Sequence, residues 1–317
     1  MIKKRTVFVL GAGASRPYGF PTGRELAEKI WSMQGNDRSD VWPTLKLLRR
    51  PKDQVEEFVD AFIRSRLLSI DEFLARRSKY VEIGKLTIAA ILCACEKPGA
   101  TLPQTVRNDD WYTALWQSLV ADTHHVNDLA RNRVRFITFN YDRSLEYFLH
   151  DATMHAFDVQ PKEAYEAWSV FDILHVYGQL GEFGFPITEH HRDFGGDSSL
   201  SAEVIKRAAD GIRIIPESRD GDKVFARCRD YFYDWAERIC FLGFGFDSLN
   251  TRRLDLPKML SYMQNEQKPL PAIFASVHGL RQPEIEAARS KICLDGDWVA
   301  SGDTCLEALR YFGLLVG

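Results

Sequence analysis

No C-x-x-C pair occurs in the 317 residues, and the six cysteines, Cys93, Cys95, Cys228, Cys240, Cys293 and Cys305, are scattered. That excludes a zinc ribbon and argues against a disulfide framework, which leaves reduced thiols in a cytoplasmic protein as the expectation. No apolar run approaches the ~18–20 residues that a membrane span needs. The opening "MIKKRTVFVLGAG" is basic and then apolar, as a signal peptide is. Its apolar part is short and runs into a glycine loop instead of a cleavage site, so export is not expected. An excess of positive charge is also missing. The net charge of −3 supplies no global field to draw in nucleic acid or an acidic membrane surface. The local clusters at Arg49–Arg50, Arg76–Arg77, Arg131 to Arg135 and Arg252–Arg253 then read as solvated faces, and direct nucleic-acid binding is not expected. Repeats and low-complexity stretches are absent as well.

What is present is the make-up of a globular chain with room for a sizeable core. RTVFVL (5–10) reads as a buried strand, followed by a glycine loop and a helix over 23–33. From 36 to 132 the apolar spacing is helical, as in "DQVEEFVDAFIRSRLL", with a helix start at Ser69. The strand pattern returns at 134–139, 171–178, 212–217, 239–246 and 272–277, with helices between. Pro257 sits in the first turn of a helix or interrupts it, and a last helix is capped by Asp303 or Thr304. Residues 193–201 read as a surface loop. The expectation is an α/β fold: a Rossmann-like parallel sheet with helices on both faces, a core of 1–35 and 133–317, and a helical module inserted at 36–132.

Four strand ends carry the polar and glycine residues. In "LGAGAS", Gly11 and Gly13 lie between a strand and a helix, where glycines let backbone amides face a pyrophosphate. The G-x-G-x-x-G pattern is incomplete, because Arg16 holds its last position. "ITFNYDRSLE" places Asn140, Tyr141 and Asp142 at the end of the second strand, the edge where open parallel sheets bind ligands. Taken alone, Asn140 or Asp142 equally reads as a helix cap. "LHVYGQLG" carries His175, Tyr177 and Gly178, and "LGFGFDSLN" carries Gly243, Asp247 and Asn250. The pairs His124–His125 and His190–His191 are adjacent and not at i,i+4, so no metal site is expected.

In that order, "GAGAS…GFPTG", "FITFNYDRSLE", "HVYGQLG" and "FLGFGFDSLN" resemble the sirtuin-like family, in its bacterial NAD-hydrolysing antiphage-defence branch. The matching pieces cover about a third of the chain; the block 36–132 carries none of them. Two departures separate the chain from the protein deacetylases of the family: the zinc ribbon is missing, and Pro21-Thr22-Gly23-Arg24 stands where they read P-D-F-R. The resemblance implies an NAD glycohydrolase, with NAD as substrate and no metal. It sets Gly11, Ala12, Gly13, Ser15, Thr22, Tyr177, Gly178, Gly243, Asp247 and Asn250 against NAD, with Gly13 making room for the diphosphate. It sets Asn140, Asp142 and His175 at the reaction. The family's histidine immediately precedes the glycine of its H-G motif; here Tyr177 holds that place, and His175 stands two residues earlier, on the same face of a strand.

Nicotinamide leaves NAD as a neutral molecule, so no general acid is needed. The site has to stabilise an oxocarbenium-like ribose and position a water. Asn140 holds the water or the carboxamide, Asp142 orients it and favours positive charge, and His175 accepts the proton. A homo-oligomer is expected, with the 36–132 helices supplying the contacts, since that block is large and carries none of the chemistry; the resemblance implies a separate partner such as a HerA-type ATPase or an Argonaute-like protein. A non-catalytic NAD or ADP-ribose sensor is the alternative that the tyrosine at 177 keeps open.

Overall fold

The computed structural model describes residues 1–35, 45–46, 48, 51–102, 109–195, 201–214, 223–294 and 298–315. The chain opens with β1 (Thr6–Leu10), whose five side chains are all buried. After it come α1 (Ala12–Ser15) and α2 (Gly23–Trp31). The helical segment follows as α3 (Lys52–Ser65), α4 (Ile70–Arg76), α5 (Val81–Cys93) and α6 (Trp111–Val120). β2 (Val134–Thr138), α7 (Ser144–Phe157), α8 (Pro161–Trp168) and β3 (Ile173–His175) return the chain to the sheet. α9 (Ala202–Asp210) and α10 (Lys223–Asp230), which runs on as a π turn over Tyr231–Trp235, lead into β4 (Arg238–Leu242). The last part is α11 (Ser248–Leu254), α12 (Leu256–Asn265), β5 (Ala272–Ser276), α13 (Gln282–Ile292), β6 (Trp298–Ser301) and α14 (Cys305–Tyr311).

Six parallel strands form one open sheet in the order β3-β2-β1-β4-β5-β6. This is a Rossmann-like α/β fold. Strands at the centre of such a sheet are covered on both faces, which is why β1 and β4 read as unbroken apolar runs. The chain moves outward from β1 through β2 to β3 and then crosses back to β4 on the other side. The strand order therefore reverses between β1 and β4, the place where open α/β sheets present a crevice. Leu10 is level with Thr138 on one side and Leu242 on the other, so these three strands release their chains at one height.

The helical segment is part of the same core. Phe58, Phe62, Phe73 and Trp111 are buried in one continuous cluster with Phe8 and Phe136 of the sheet. Ser69 starts α4 as its sequence indicates, accepting from the Glu72 amide at 3.2 Å. Trp111 Nε1 donates to the Ala14 carbonyl at 2.8 Å and ties α6 to the loop after β1. Residues 36–44 of the expected module lie outside the described residues. Among the described residues, no helix is long and apolar enough to cross a membrane.

Four strand expectations change. The strand expected over 239–246 is Arg238–Leu242, and the chain leaves the sheet at Gly243 with φ 55. The strand expected over 171–178 is only Ile173–His175, bounded by left-handed residues at Asp172 (φ 49) and Gly178 (φ 71). In the strand expected over 212–217, Ile212 makes a single antiparallel bridge to Gly178, and residues 215–217 lie outside the described residues. β6 was not expected. Its four residues, WVAS, lie on the outer edge of the sheet and carry too little apolar pattern to stand out. Pro257 occupies the first turn of α12, after Asp255 has broken the chain with φ 51. Thr304 is the cap of α14.

Gly243 (φ 55) is the tightest point between β1 and β4: a Cβ there would lie 2.0 Å from the Ala14 amide nitrogen. Gly243→Ala is expected to destabilise the protein by about 2–4 kcal/mol, combining left-handed strain with overpacking. Gly23→Ala, where a Cβ meets nothing within 4 Å, is expected to change stability by less than about 1 kcal/mol. Chemical denaturation of both variants checks the contrast.

Candidate functional site

The loops after β1 and β4 touch backbone to backbone. Gly11 N donates to the Leu242 carbonyl and Gly13 N to the Gly243 carbonyl, both at 3.0 Å. A Cβ on Gly11 would lie 2.5 Å from the Gly243 oxygen, and one on Gly13 would lie 2.9 Å from it. On the side that a Cβ would take, both glycines face the chain itself. These glycines exist because two loops have to approach each other.

This contact fixes the Gly11 carbonyl, and Asn140 is built on it. Asn140 Nδ2 donates to the Gly11 oxygen and to Ser15 Oγ, each at 3.0 Å. The orientation of the amide follows from chemistry, because turning it over would set two oxygens that only accept against each other. Asn140 Oδ1 is left buried with no hydrogen-bond partner, on a residue that is 7 % exposed. A buried acceptor without a donor is costly, and at a sheet edge it is a place for a ligand or water to donate.

Asp142 lies beneath this amide. Its Oδ1 accepts from the amide and hydroxyl of Ser144. Burial raises its pKa, against the pull of these hydrogen bonds. Ser15 is a support of the amide, its Oγ accepting from Nδ2.

His175 faces away from this work. Nδ1 lies 2.9 Å from the Asn140 carbonyl, and Nε2 is hydrogen-bonded to the Glu146 carboxylate. Two oxygens face the two ring nitrogens, an arrangement that favours the doubly protonated ring beside Glu146. Burial opposes that charge, but Glu146 and the carbonyl outweigh it and raise the His175 pKa above its ordinary 6.5. The ring has no free nitrogen with which to act as a base. β3 ends at His175, so strand alternation does not carry from it to Tyr177, and the two side chains have different partners.

Tyr177 belongs to a second cluster. Its hydroxyl donates to Asn250 Oδ1, and Asn250 Nδ2 donates to Asp247 Oδ2 at 2.5 Å. Asp247 also caps α11 through the amides of Leu249 and Asn250. Burial raises the Tyr177 pKa, while the nearby Arg253 lowers it. Phe139, next to Asn140 in the chain, sets its ring 5.7 Å from Tyr177 and 5.0 Å from Phe244. Gly178 is required by its turn, since a Cβ would meet the Gly211 oxygen at 2.0 Å. Ala12 is half-buried at the start of α1. Thr22 caps α2 in a reciprocal pair with Glu25 and is not drawn into either cluster.

Several residues of the site escaped sequence reasoning. Glu146, within the quoted "FITFNYDRSLE", is the partner of His175. Asp71, at the start of α4, accepts from the Tyr141 hydroxyl, so the helical segment does reach the site. Burial, opposed by the Tyr141 hydrogen bond and reinforced by the charge of Asp247, raises the Asp71 pKa. Its signal was the Ser69 cap, which fixes where Asp71 lies. Arg143, fully buried, shares Glu96 with Arg192 and holds the carbonyls of Glu182 and Asp193, which fastens the segment after Gly178. Among the described residues, no group of three or more His, Cys, Asp or Glu is arranged to hold a metal ion. No protein-family model matches the chain, and no curated protein matches its sequence.

A raised folded-state pKa stabilises the fold fully below the unfolded value and loses that contribution as pH rises through the folded value. The His175–Glu146 pair is therefore expected to contribute fully below pH 6.5 and to fade as pH climbs past the raised value. In Glu146→Gln the fading is expected at lower pH. Thermal melts of both proteins across the neutral and mildly alkaline range check the displacement.

Proposed function

We propose that this protein is an NAD glycohydrolase that cleaves NAD to nicotinamide and ADP-ribose, acting to deplete NAD in antiphage defence. One observation carries the reading: the buried, unpartnered Oδ1 of Asn140, held at the C-terminal sheet edge where the strand order reverses. The defence role rests on the resemblance of the four motifs alone.

In this reading, NAD lies across the β1 and β4 loops with its nicotinamide riboside toward Asn140. The C1′–N bond breaks with its electron pair passing to the ring nitrogen, which neutralises the nicotinamide. A water held by Asn140 Oδ1 forms the new C1′–O bond and releases its proton to solvent. An amide in a fixed orientation suits this task, because it offers an acceptor without the reorganisation that water would need. The Gly11 carbonyl and Ser15 hold the amide. His175 supports the Asn140 backbone and is not the base, so the proton leaves after the ribosyl cation has been captured.

A second reading is a non-catalytic sensor of NAD or ADP-ribose that regulates a partner protein. It is favoured by the engagement of both His175 nitrogens, together with Tyr177 in the place of the family's histidine. Incubation with NAD and measurement of free nicotinamide separates the two, since a sensor binds NAD without releasing it. For the hydrolase, Asn140→Ala is expected to lower kcat at least ~100-fold while NAD affinity stays within a few-fold, because the amide acts mainly on the transition state. An unaltered rate in that variant contradicts the hydrolase mechanism.

A further inference from the structure

Asn140 stands at the C-terminal ends of the strands, and the opposite end of the sheet is rich in basic residues. β2, β1 and β4 start side by side, with Thr6 level with both Val134 and Arg238. The residues just before them are tied backbone to backbone. Thr6 N donates to the Arg133 carbonyl and Arg133 N to the Ile2 carbonyl, both at 2.9 Å. The Arg5 carbonyl accepts from the amides of Glu237 and Arg238, at 2.8 and 3.0 Å. The fold thus gathers the segments 1–6, 128–135 and 237–238, which hold seven lysines and arginines against two acids, Asp128 and Glu237. Three of the seven are engaged. Arg5 pairs with Glu237 at 3.2 Å, Arg131 lies 3.5 Å from Asp128, and the Arg135 guanidinium stands 4.5 Å from the rings of Tyr231 and Trp235. Lys3, Lys4, Arg133 and Arg238 make no salt bridge among the described residues, and the first three are exposed. A third acid, Asp122, lies at the border, next to Ala121, whose carbonyl is 3.3 Å from Met1 N.

We propose that this N-terminal sheet edge is a docking surface for nucleic acid, which it holds by the phosphate backbone without regard to sequence. Each basic cluster read alone is a solvated face. The net charge of −3 conceals their convergence, because the three segments are far apart in the chain. Neighbouring strands lie about 4.8 Å apart, so Arg133, Arg5 and Arg238 span roughly 10 Å. One strand of a DNA duplex carries a phosphate about every 3.4 Å along the axis, so the surface matches about three of them. Composition separates nucleic acid from other anionic partners. No large apolar side chain in the three segments is exposed. A protein interface is built around an apolar centre, and a membrane-bound surface buries apolar side chains between its cations. A phosphate backbone requires only the cations. The surface lies at the far end of the strands from Asn140, and the inference does not rest on the hydrolase reading.

Fluorescence anisotropy of a short labelled DNA duplex, titrated with the full chain, tests this. Binding is expected in the micromolar range at low salt and equal for two unrelated sequences. Its logarithm is expected to fall against the logarithm of salt concentration with a slope of about −3. Lys3→Glu combined with Arg133→Glu is expected to weaken binding at least ~10-fold at low salt and to flatten the slope to about −1. Arg64→Glu combined with Lys258→Glu changes the net charge equally on α3 and α12, at side chains 79 % and 84 % exposed. That pair is expected to bind as the wild type does. Should the first pair not fold, Lys3→Gln with Arg133→Gln removes the same two charges and is read by the same criteria. An equal loss in the control pair overturns the proposal, because net charge alone would then govern binding. Failure of the wild type to bind the duplex overturns it as well. So does equal or tighter binding of poly-glutamate or of phosphatidylserine vesicles, which would make the surface a site for an acidic protein or a membrane.

Discussion

The close approach of two backbones, at Gly11 and Gly13 on one side and Gly243 on the other, is the constraint from which the site follows. It joins β1 to β4 just beyond the sheet, where the strand order reverses. Because Gly13 N and Gly11 N are both spent on β4, the Gly11 carbonyl is held with its oxygen toward β2. Asn140 is the residue that β2 delivers to that oxygen, and the donation from Nδ2 determines that Oδ1 looks elsewhere. A side chain on any of the three glycines would part the loops and release the amide. Fold and site are thus fixed by one contact.

Charge around this contact is arranged to support polar groups. Asp142 accepts from the amide and hydroxyl of Ser144, Glu146 is paired with His175, and Glu96 is shared by Arg143 and Arg192. Each carboxylate is buried and each has its donors, which is the condition under which buried charge can be kept at all. Asp71, like Asp142, accepts from a hydroxyl. Among the described residues it makes no salt bridge to a basic side chain, and it accepts from the Tyr141 hydroxyl beside Asp247.

The central strands could be read from sequence because parallel strands buried on both faces leave long apolar runs. β6 could not, since an edge strand of four mixed residues leaves almost no periodic signal. Asn140 and Asp142 were legible as polar residues at a strand end, but the direction of the amide was not, because it depends on a carbonyl 129 residues away. His175 misled for a related reason. Strand alternation holds only while the strand lasts, and β3 ends at that residue. Its true partner, Glu146, lies on a helix after a different strand. The glycines were read correctly as points of close approach, while the object approached was the chain itself.

A crystal structure of the protein soaked with NAD addresses the central claim most directly, by what it shows at Asn140 Oδ1. The account predicts NAD or its products over the β1 and β4 loops, with a ligand group or a ligand-bound water donating to Oδ1 at about 2.9 Å. A ligand bound elsewhere, with Oδ1 satisfied by a group of the protein, would contradict it.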